Sequence, residues 1–101
     1  HHELPVDERD YIDLRQADLV PFRAAIAAGI EGIMTAHVLY PRVDAAVAGY
    51  SRHWIRGVLR DELHFSGAVF SDDLSMAGAD LGQSYGARAH QALEAGCDVL
   101  L

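Results

Sequence analysis

The 101-residue sequence has no lysine and only one cysteine, Cys97, and each shortage argues against a class of protein. The eight basic residues are all arginine and stand against fifteen acidic residues, which gives a net charge of −7. So acidic a chain is poorly suited to bind a nucleic-acid backbone or an anionic membrane, and we expect neither as a partner. A single cysteine allows no intrachain disulfide and no thiolate metal cluster, which fits a reducing, cytoplasmic setting.

Long apolar runs are also missing. No stretch approaches the roughly 20 residues that a membrane-spanning helix needs, and the opening His1-His2-Glu3-Leu4 lacks the basic and apolar regions of a signal peptide. Half of the residues are nevertheless apolar, which is enough for the core of one compact unit. Because the chain lacks a first methionine and stops on the strand-like run Asp98 to Leu101, we expect a piece of a longer protein.

Hydrophobic periodicity predicts helices that alternate with strands. The predicted elements are a short surface helix or turn over Asp7 to Arg15, a helix over 18–28 with Asp18 as cap and Gly29 at its end, a strand over 30–37, a helix capped by Ser51, a strand over 67–71, a helix from the cap Ser84 to Gly96, and a strand from Asp98. Strands separated by one helix indicate βαβ units and a parallel sheet. The fold class is therefore α/β, either about three βα units of a (β/α)₈ barrel or part of an open sheet.

Two adjacent carboxylates, Asp72 and Asp73, follow directly after the predicted strand over 67–71. In parallel α/β sheets, residues just beyond the carboxyl ends of the strands are the ones that reach a ligand. His37 closes the preceding predicted strand and should lie at the same edge. The sequence thus predicts a polar site built from strand ends.

Three segments carry a family resemblance: Ala36-His37-Val38-Leu39-Tyr40-Pro41, then Trp54-Ile55-Arg56-Gly57-Val58-Leu59-Arg60-Asp61-Glu62-Leu63, then Phe70-Ser71-Asp72-Asp73-Leu74-Ser75-Met76. They resemble glycoside hydrolase family 3, and within it the bacterial β-N-acetylhexosaminidases that recycle peptidoglycan. The resemblance covers nearly the whole chain. It implies that residues 1–101 belong to the C-terminal part of a single catalytic (β/α)₈ barrel domain.

The resemblance also implies a retaining hydrolase in which Asp72 is the nucleophile and Asp73 a hydrogen-bonding support. The opening His1-His2-Glu3-Leu4-Pro5 matches the end of the family's catalytic loop, which makes His1 the proton donor and acceptor, or His2 if the register slips by one. An ordinary histidine pKa near 6.5 suits both half-reactions at neutral pH. The aspartate that orients this histidine in the family would precede residue 1.

Further substrate contacts are expected from Met76, close behind the nucleophile, and from His37 and Asp73. His53, His64 and His90 are expected on the surface, and Cys97 and Trp54 in structural roles. No histidine pair has the spacing of a zinc site, and the family resemblance implies neither metal nor other cofactor. The family's remaining sugar-binding residues come from barrel segments outside this sequence, so the isolated piece should be inactive and aggregation-prone.

One departure from the family pattern lies at His64, where glycine is frequent in relatives; a left-handed backbone there would strain any other residue. The implied substrate is a muropeptide fragment that carries a terminal N-acetylglucosamine. Two alternatives stay open at this point. The glycosyl-enzyme could be cleaved by phosphate instead of water, since histidine does not repel that anion, or the segment could be a non-catalytic sugar-binding or structural unit.

Overall fold

Two short parallel strands lie at the centre of the computed structural model, which describes residues 4–75 and 84–101. Strand β1 spans Gly32–Met34, strand β2 spans Ala68–Phe70, and Ile33 pairs with Val69. Along the other edge of β2, Val99 forms a single parallel bridge with Phe70. The predicted α/β class and parallel order are confirmed, whereas the predicted strand from Asp98 is reduced to this one bridge.

The strand predicted over 30–37 is shorter in the structure because the chain leaves β2 after Thr35. The Thr35 amide still donates to the Phe70 carbonyl at 2.9 Å. The next carbonyls turn to another segment, since Ala36 O accepts from Gly49 N at 3.0 Å and Val38 O accepts from Ala48 N at 2.8 Å. His37 therefore lies beyond the end of β1, between these two hydrogen bonds.

The helices lie close to where hydrophobic periodicity predicts them. They are α1 (Tyr11–Gln16), α2 (Leu19–Ala27), a 3₁₀ turn (Ala48–Tyr50), a π-helix (His53–Glu62) and α3 (Tyr85–Ala95). Within the described ranges, none of them combines the length and apolar character needed to cross a bilayer. The π-helix ends with a hydrogen bond from the Leu63 amide to the Val58 carbonyl, five residues earlier in the chain, at 2.8 Å.

Two of the three predicted helix caps are confirmed. Ser51 Oγ accepts from the Trp54 amide at 3.0 Å, and Ser84 Oγ accepts from the Ala87 amide at 3.2 Å. The prediction for Asp18 is wrong, because its carboxylate makes no cap hydrogen bond and instead accepts from the Arg9 guanidinium at 3.0 and 2.6 Å. Gly29 follows α2 with φ +90°, as a left-handed helix end requires.

The core surrounds β2. Val69 and Leu74 are fully buried, and they belong to one cluster with Ile55 of the π-helix and Ala92 of α3. Burial of a large aliphatic side chain contributes about 1.5 to 3 kcal/mol. The π-helix and α3 thus pack against β2, and the loop that follows β2 is anchored in the same core through Leu74.

Arg60 stabilises the end of the sheet at which β2 begins. Its guanidinium donates to the carbonyls of Phe65 and Gly67 at 3.0 and 2.6 Å and to the Asp98 carboxylate at 2.9 Å. The same Asp98 oxygen accepts from the Val69 amide at 2.9 Å. These bonds join the π-helix, the start of β2 and the final segment of the chain. The polar residues His37 and Asp72 lie at the opposite end of the sheet, beyond the carboxyl ends of the strands.

The exposure and packing of several side chains agree with the sequence predictions. His53, His64 and His90 are exposed, and Cys97 is buried, where burial raises the pKa of its thiol. Trp54 packs against Tyr40 with ring centroids 5.1 Å apart. Apolar side chains exposed around β1 are those of Phe22, Ile30 and Met34. This uncovered apolar face agrees with the sequence expectation, and aggregation of the isolated piece stays a prediction.

His64 adopts φ +60°, and it is the one non-glycine residue with positive φ in the described part of the chain. A left-handed backbone costs an L-residue roughly 1 to 2 kcal/mol. We expect His64→Gly to raise the free energy of unfolding by about 1 kcal/mol, measured by denaturant unfolding of the full-length protein. The matched control is His64→Ala, which keeps the strain and should give no such gain; equal effects of the two variants would contradict this explanation.

Candidate active site

The two adjacent carboxylates lie in the loop Ser71 to Ser75, immediately beyond the carboxyl end of β2. Asp72 is partly exposed and Asp73 is exposed. The Asp73 amide donates to Asp72 Oδ1 at 2.8 Å, which fixes the orientation of that carboxylate. Within the described residues, Oδ2 of the same carboxylate has no hydrogen-bond partner.

The Asp73 side chain is used differently. Its Oδ1 accepts from the amide and the hydroxyl of Ser75 at 2.8 and 2.7 Å, which closes a tight local turn. These hydrogen bonds to Ser75 hold the pKa of the Asp73 carboxyl below its usual range. Asp73 is therefore an anion whose Oδ1 is bonded within its own loop, and its predicted roles as a support and as a substrate contact stay predictions.

The base of the loop is tied to the final segment of the chain. The Ser71 amide donates to Val99 O at 2.8 Å, and the Leu101 amide donates to Ser71 Oγ at 2.9 Å. Ser71 is buried, and so is Leu74 on the other side of the carboxylates. Asp72 thus projects from a loop that is anchored at both ends, which holds its carboxylate in a defined position.

His37 approaches the same loop from the end of β1. It is only 4% exposed, and its Nε2 lies 2.9 Å from the main-chain oxygen of Asp73. A carbonyl oxygen only accepts hydrogen bonds, so Nε2 carries the proton and donates. The sequence correctly predicts His37 at this edge, and its direct contact with sugar stays a prediction.

Two of the predicted site residues, His1 and Met76, lie outside the described residues, as does the alternative His2. Their roles as acid/base and substrate contact remain predictions. Within the described ranges, no group of three or more His, Cys, Asp or Glu residues is arranged to hold a metal ion. Asp72, Asp73 and His37 are the predicted residues that the structure brings together.

Sequence reasoning missed the contributions of Ser71 and Ser75. The pattern Asp73-Leu74-Ser75 carries a usable signal, because an aspartate often accepts from the amide two residues ahead. The bond from Leu101 to Ser71 has no local signal, since the two residues are 30 positions apart. Chemically, the assembled loop offers an oriented carboxylate at the open edge of a parallel sheet, where it could attack an electrophilic carbon.

Comparison with known proteins decides the family. The sequence model of the glycosyl hydrolase family 3 N terminal domain matches residues 1–101. The chain belongs to glycosyl hydrolase family 3. Among curated family relatives, a beta-hexosaminidase of Nitrosospira multiformis is 54% identical over 101 residues, which cover all of this chain and 29% of the relative. The chain thus spans less than a third of that relative's length.

Solved family structures are similar to the whole chain. NagZ from Neisseria gonorrhoeae in complex with N-trifluoroacetyl-D-glucosamine matches with a TM-score of 0.88 and 45% identity, over 100% of this chain and 30% of that one. A family 3 beta-N-acetylglucosaminidase from Paenibacillus sp. str. FPU-7 matches with a TM-score of 0.93 and 41% identity, over 100% of this chain and 20% of that one. These matches agree with the α/β fold described above.

Proposed function

We propose that the full-length protein carrying this chain is a retaining β-N-acetylglucosaminidase, with Asp72 as its nucleophile. The observation that carries the proposal is the position of Asp72, partly exposed beyond the end of β2 with one carboxylate oxygen oriented by the Asp73 amide at 2.8 Å. The similarity to beta-hexosaminidases and to a structure that holds a glucosamine derivative supports an amino sugar as substrate.

In the proposed reaction, Asp72 Oδ2 attacks the anomeric carbon of the terminal N-acetylglucosamine. The bond from that carbon to the leaving oxygen breaks, and the leaving oxygen takes a proton from His1. Water then attacks the glycosyl-enzyme while His1 accepts a proton from it, which frees Asp72. The role of His1 rests on the motif His1-His2-Glu3-Leu4-Pro5.

The proposed natural substrate is a peptidoglycan fragment, a 1,6-anhydro-muropeptide with N-acetylglucosamine at its non-reducing end, processed in the cytoplasm. In this proposal residues 1–101 form the C-terminal part of a (β/α)₈ barrel, and the other barrel segments supply the contacts to the sugar hydroxyls. The exposed apolar residues Phe22, Ile30 and Met34 around β1 support such a covering.

Covalent trapping tests the assignment. We expect a slow 5-fluoro N-acetylglucosaminide to add one sugar to the full-length protein, seen by intact mass, and peptide mapping to place it on Asp72. Pretreatment with an excess of a competing substrate analogue should prevent the label. A label on Asp73, or on a residue outside 67–75, would contradict the proposed nucleophile.

The same protein preparation is used to determine the anomeric configuration of the product and whether water or phosphate cleaves the glycosyl-enzyme. Two inverting displacements give a β-configured sugar as the first product, which proton NMR of the early reaction detects. The measurement is repeated with inorganic phosphate, where a sugar phosphate would identify phosphorolysis. An α-configured sugar at first detection would contradict the double displacement.

A further inference from the structure

We propose that His37 is a positioning residue for Asp72, acting through the main chain of Asp73. This inference rests on the proposed function, because it assigns a role toward the same nucleophile. Nε2 of His37 donates to the Asp73 carbonyl at 2.9 Å, and the amide of that same residue donates to Asp72 Oδ1 at 2.8 Å. One residue of backbone therefore links the imidazole to the carboxylate.

The hydrogen bond from His37 to Asp73 takes the place of a strand-to-strand hydrogen bond where the sheet ends. The last main-chain bond in the described structure between the two strand segments runs from Thr35 N to Phe70 O at 2.9 Å. Beyond it the chain after β1 turns toward Gly49, and the loop after β2 loses its neighbour on that side. His37 bridges the gap with its side chain, so the ring does for Asp73 what a strand amide would do within the sheet.

The imidazole is itself held in place. The hydrogen bonds of Ala36 O and Val38 O to the 48–49 segment fix the backbone on both sides of His37. The ring lies 5.8 Å from that of Tyr50, and a Cβ added at Gly49 would lie 3.3 Å from Nδ1. With its backbone fixed and its buried ring beside Tyr50, His37 presents a donor of defined position to the loop, and glycine at position 49 leaves the space that the ring needs.

Both ring nitrogens are turned away from solvent. Nε2 is engaged by Asp73, and Nδ1 is buried without a hydrogen-bond partner among the described residues. A sugar hydroxyl would need one of these nitrogens. The geometry thus favours an indirect role, in which His37 sets where Asp72 stands and leaves the contact with substrate to other groups.

The test compares three variants of the full-length protein: His37→Gln, His37→Asn and His37→Leu. Glutamine places an amide N–H about where Nε2 lies, asparagine places it too short to reach Asp73 O, and leucine removes the donor. We expect kcat to fall about 10²-fold in the leucine and asparagine variants, with KM changed less than threefold. Glutamine should recover kcat to within about tenfold of the wild type.

Rates are expressed per active site, counted by covalent trapping, so that unfolded molecules do not contribute. The rate constant of trapping by the 5-fluoro sugar should fall in parallel with kcat, because it reports the attack by Asp72 itself. Equal kcat per site in all three variants would overturn the proposal, as would failure of all three to fold. Activity that survives in Asp72→Asn would instead overturn the proposed function, whatever the His37 variants do.

Discussion

Replacing Asp72 with asparagine should lower kcat on the order of 10⁴-fold or more, the scale on which loss of a catalytic nucleophile is felt. The amide has the shape of the carboxylate and can still accept from the Asp73 amide, so the loop should keep its structure. What is lost is the negative charge that forms the bond to the anomeric carbon. The measurement is steady-state hydrolysis of an aryl N-acetylglucosaminide by the full-length protein.

The matched control is Asp73→Asn in the neighbouring position. The first oxygen of Asp73 is bonded within the loop to Ser75, and an amide oxygen can accept the same two bonds. We expect a loss of about tenfold, far below that of Asp72→Asn. Equal losses in the two variants, or full turnover in Asp72→Asn, would contradict the assignment and favour a structural role for the carboxylate pair.

Chemical rescue separates a missing nucleophile from a damaged site. In Asp72→Ala, added azide can occupy the space of the carboxylate and attack the anomeric carbon, while the bond to the leaving oxygen breaks and that oxygen takes a proton from His1, the proposed acid. The expected product is a glycosyl azide of α configuration, because only one inversion has occurred. No rescue by azide in a folded Asp72→Ala protein that still binds substrate would count against the double displacement.

Replacing Gly67 with alanine should destabilise the protein by more than about 3 kcal/mol, at the upper end of overpacking effects. A Cβ at this position would lie 2.3 Å from Glu31 O and 2.6 Å from the Phe65 ring. The carbonyl of Glu31 cannot simply move, because it accepts the Ala68 amide at 2.9 Å at the start of β2. Relief of the clash would separate the two strands.

Denaturant unfolding of the full-length protein measures this effect, with Gly86→Ala as the matched control. Gly86 lies in the first turn of α3, and a Cβ there meets nothing within 4 Å. Alanine at a helical position is favoured over glycine by up to about 1 kcal/mol, so the control should be neutral or more stable. A Gly67→Ala protein as stable as the wild type would contradict the close approach of Glu31.

Local patterns predict the parts of this fold that depend on nearby residues. Ser51 and Ser84 cap their helices because a side-chain hydroxyl reaches an amide three positions ahead, whatever the rest of the chain does. The same reasoning fails at Asp18, where Arg9 offers a charged donor that the sequence order does not place nearby. A cap is thus predictable only where no distant partner competes for it.

The loop Ser71 to Ser75 shows the same division between local and distant causes. Its composition and its place after an apolar strand predict Asp72 at the open edge of the sheet, and the structure confirms that position. The lengths of the strands were not predictable, because the end of β1 depends on hydrogen bonds from the 48–49 segment to Ala36 and Val38. Those bonds compete with the sheet for the same carbonyls.

By itself, the sequence determined the α/β class, the order of the elements and the carboxylates at a strand end, since each depends on short-range periodicity. Only the tertiary structure decided that His37, 36 positions from Asp73, donates to its carbonyl, and that Leu101 ties down Ser71. The reason is physical: a hydrogen bond between distant residues forms where strand register and packing bring donor and acceptor within about 3 Å, and neither is written in any local pattern.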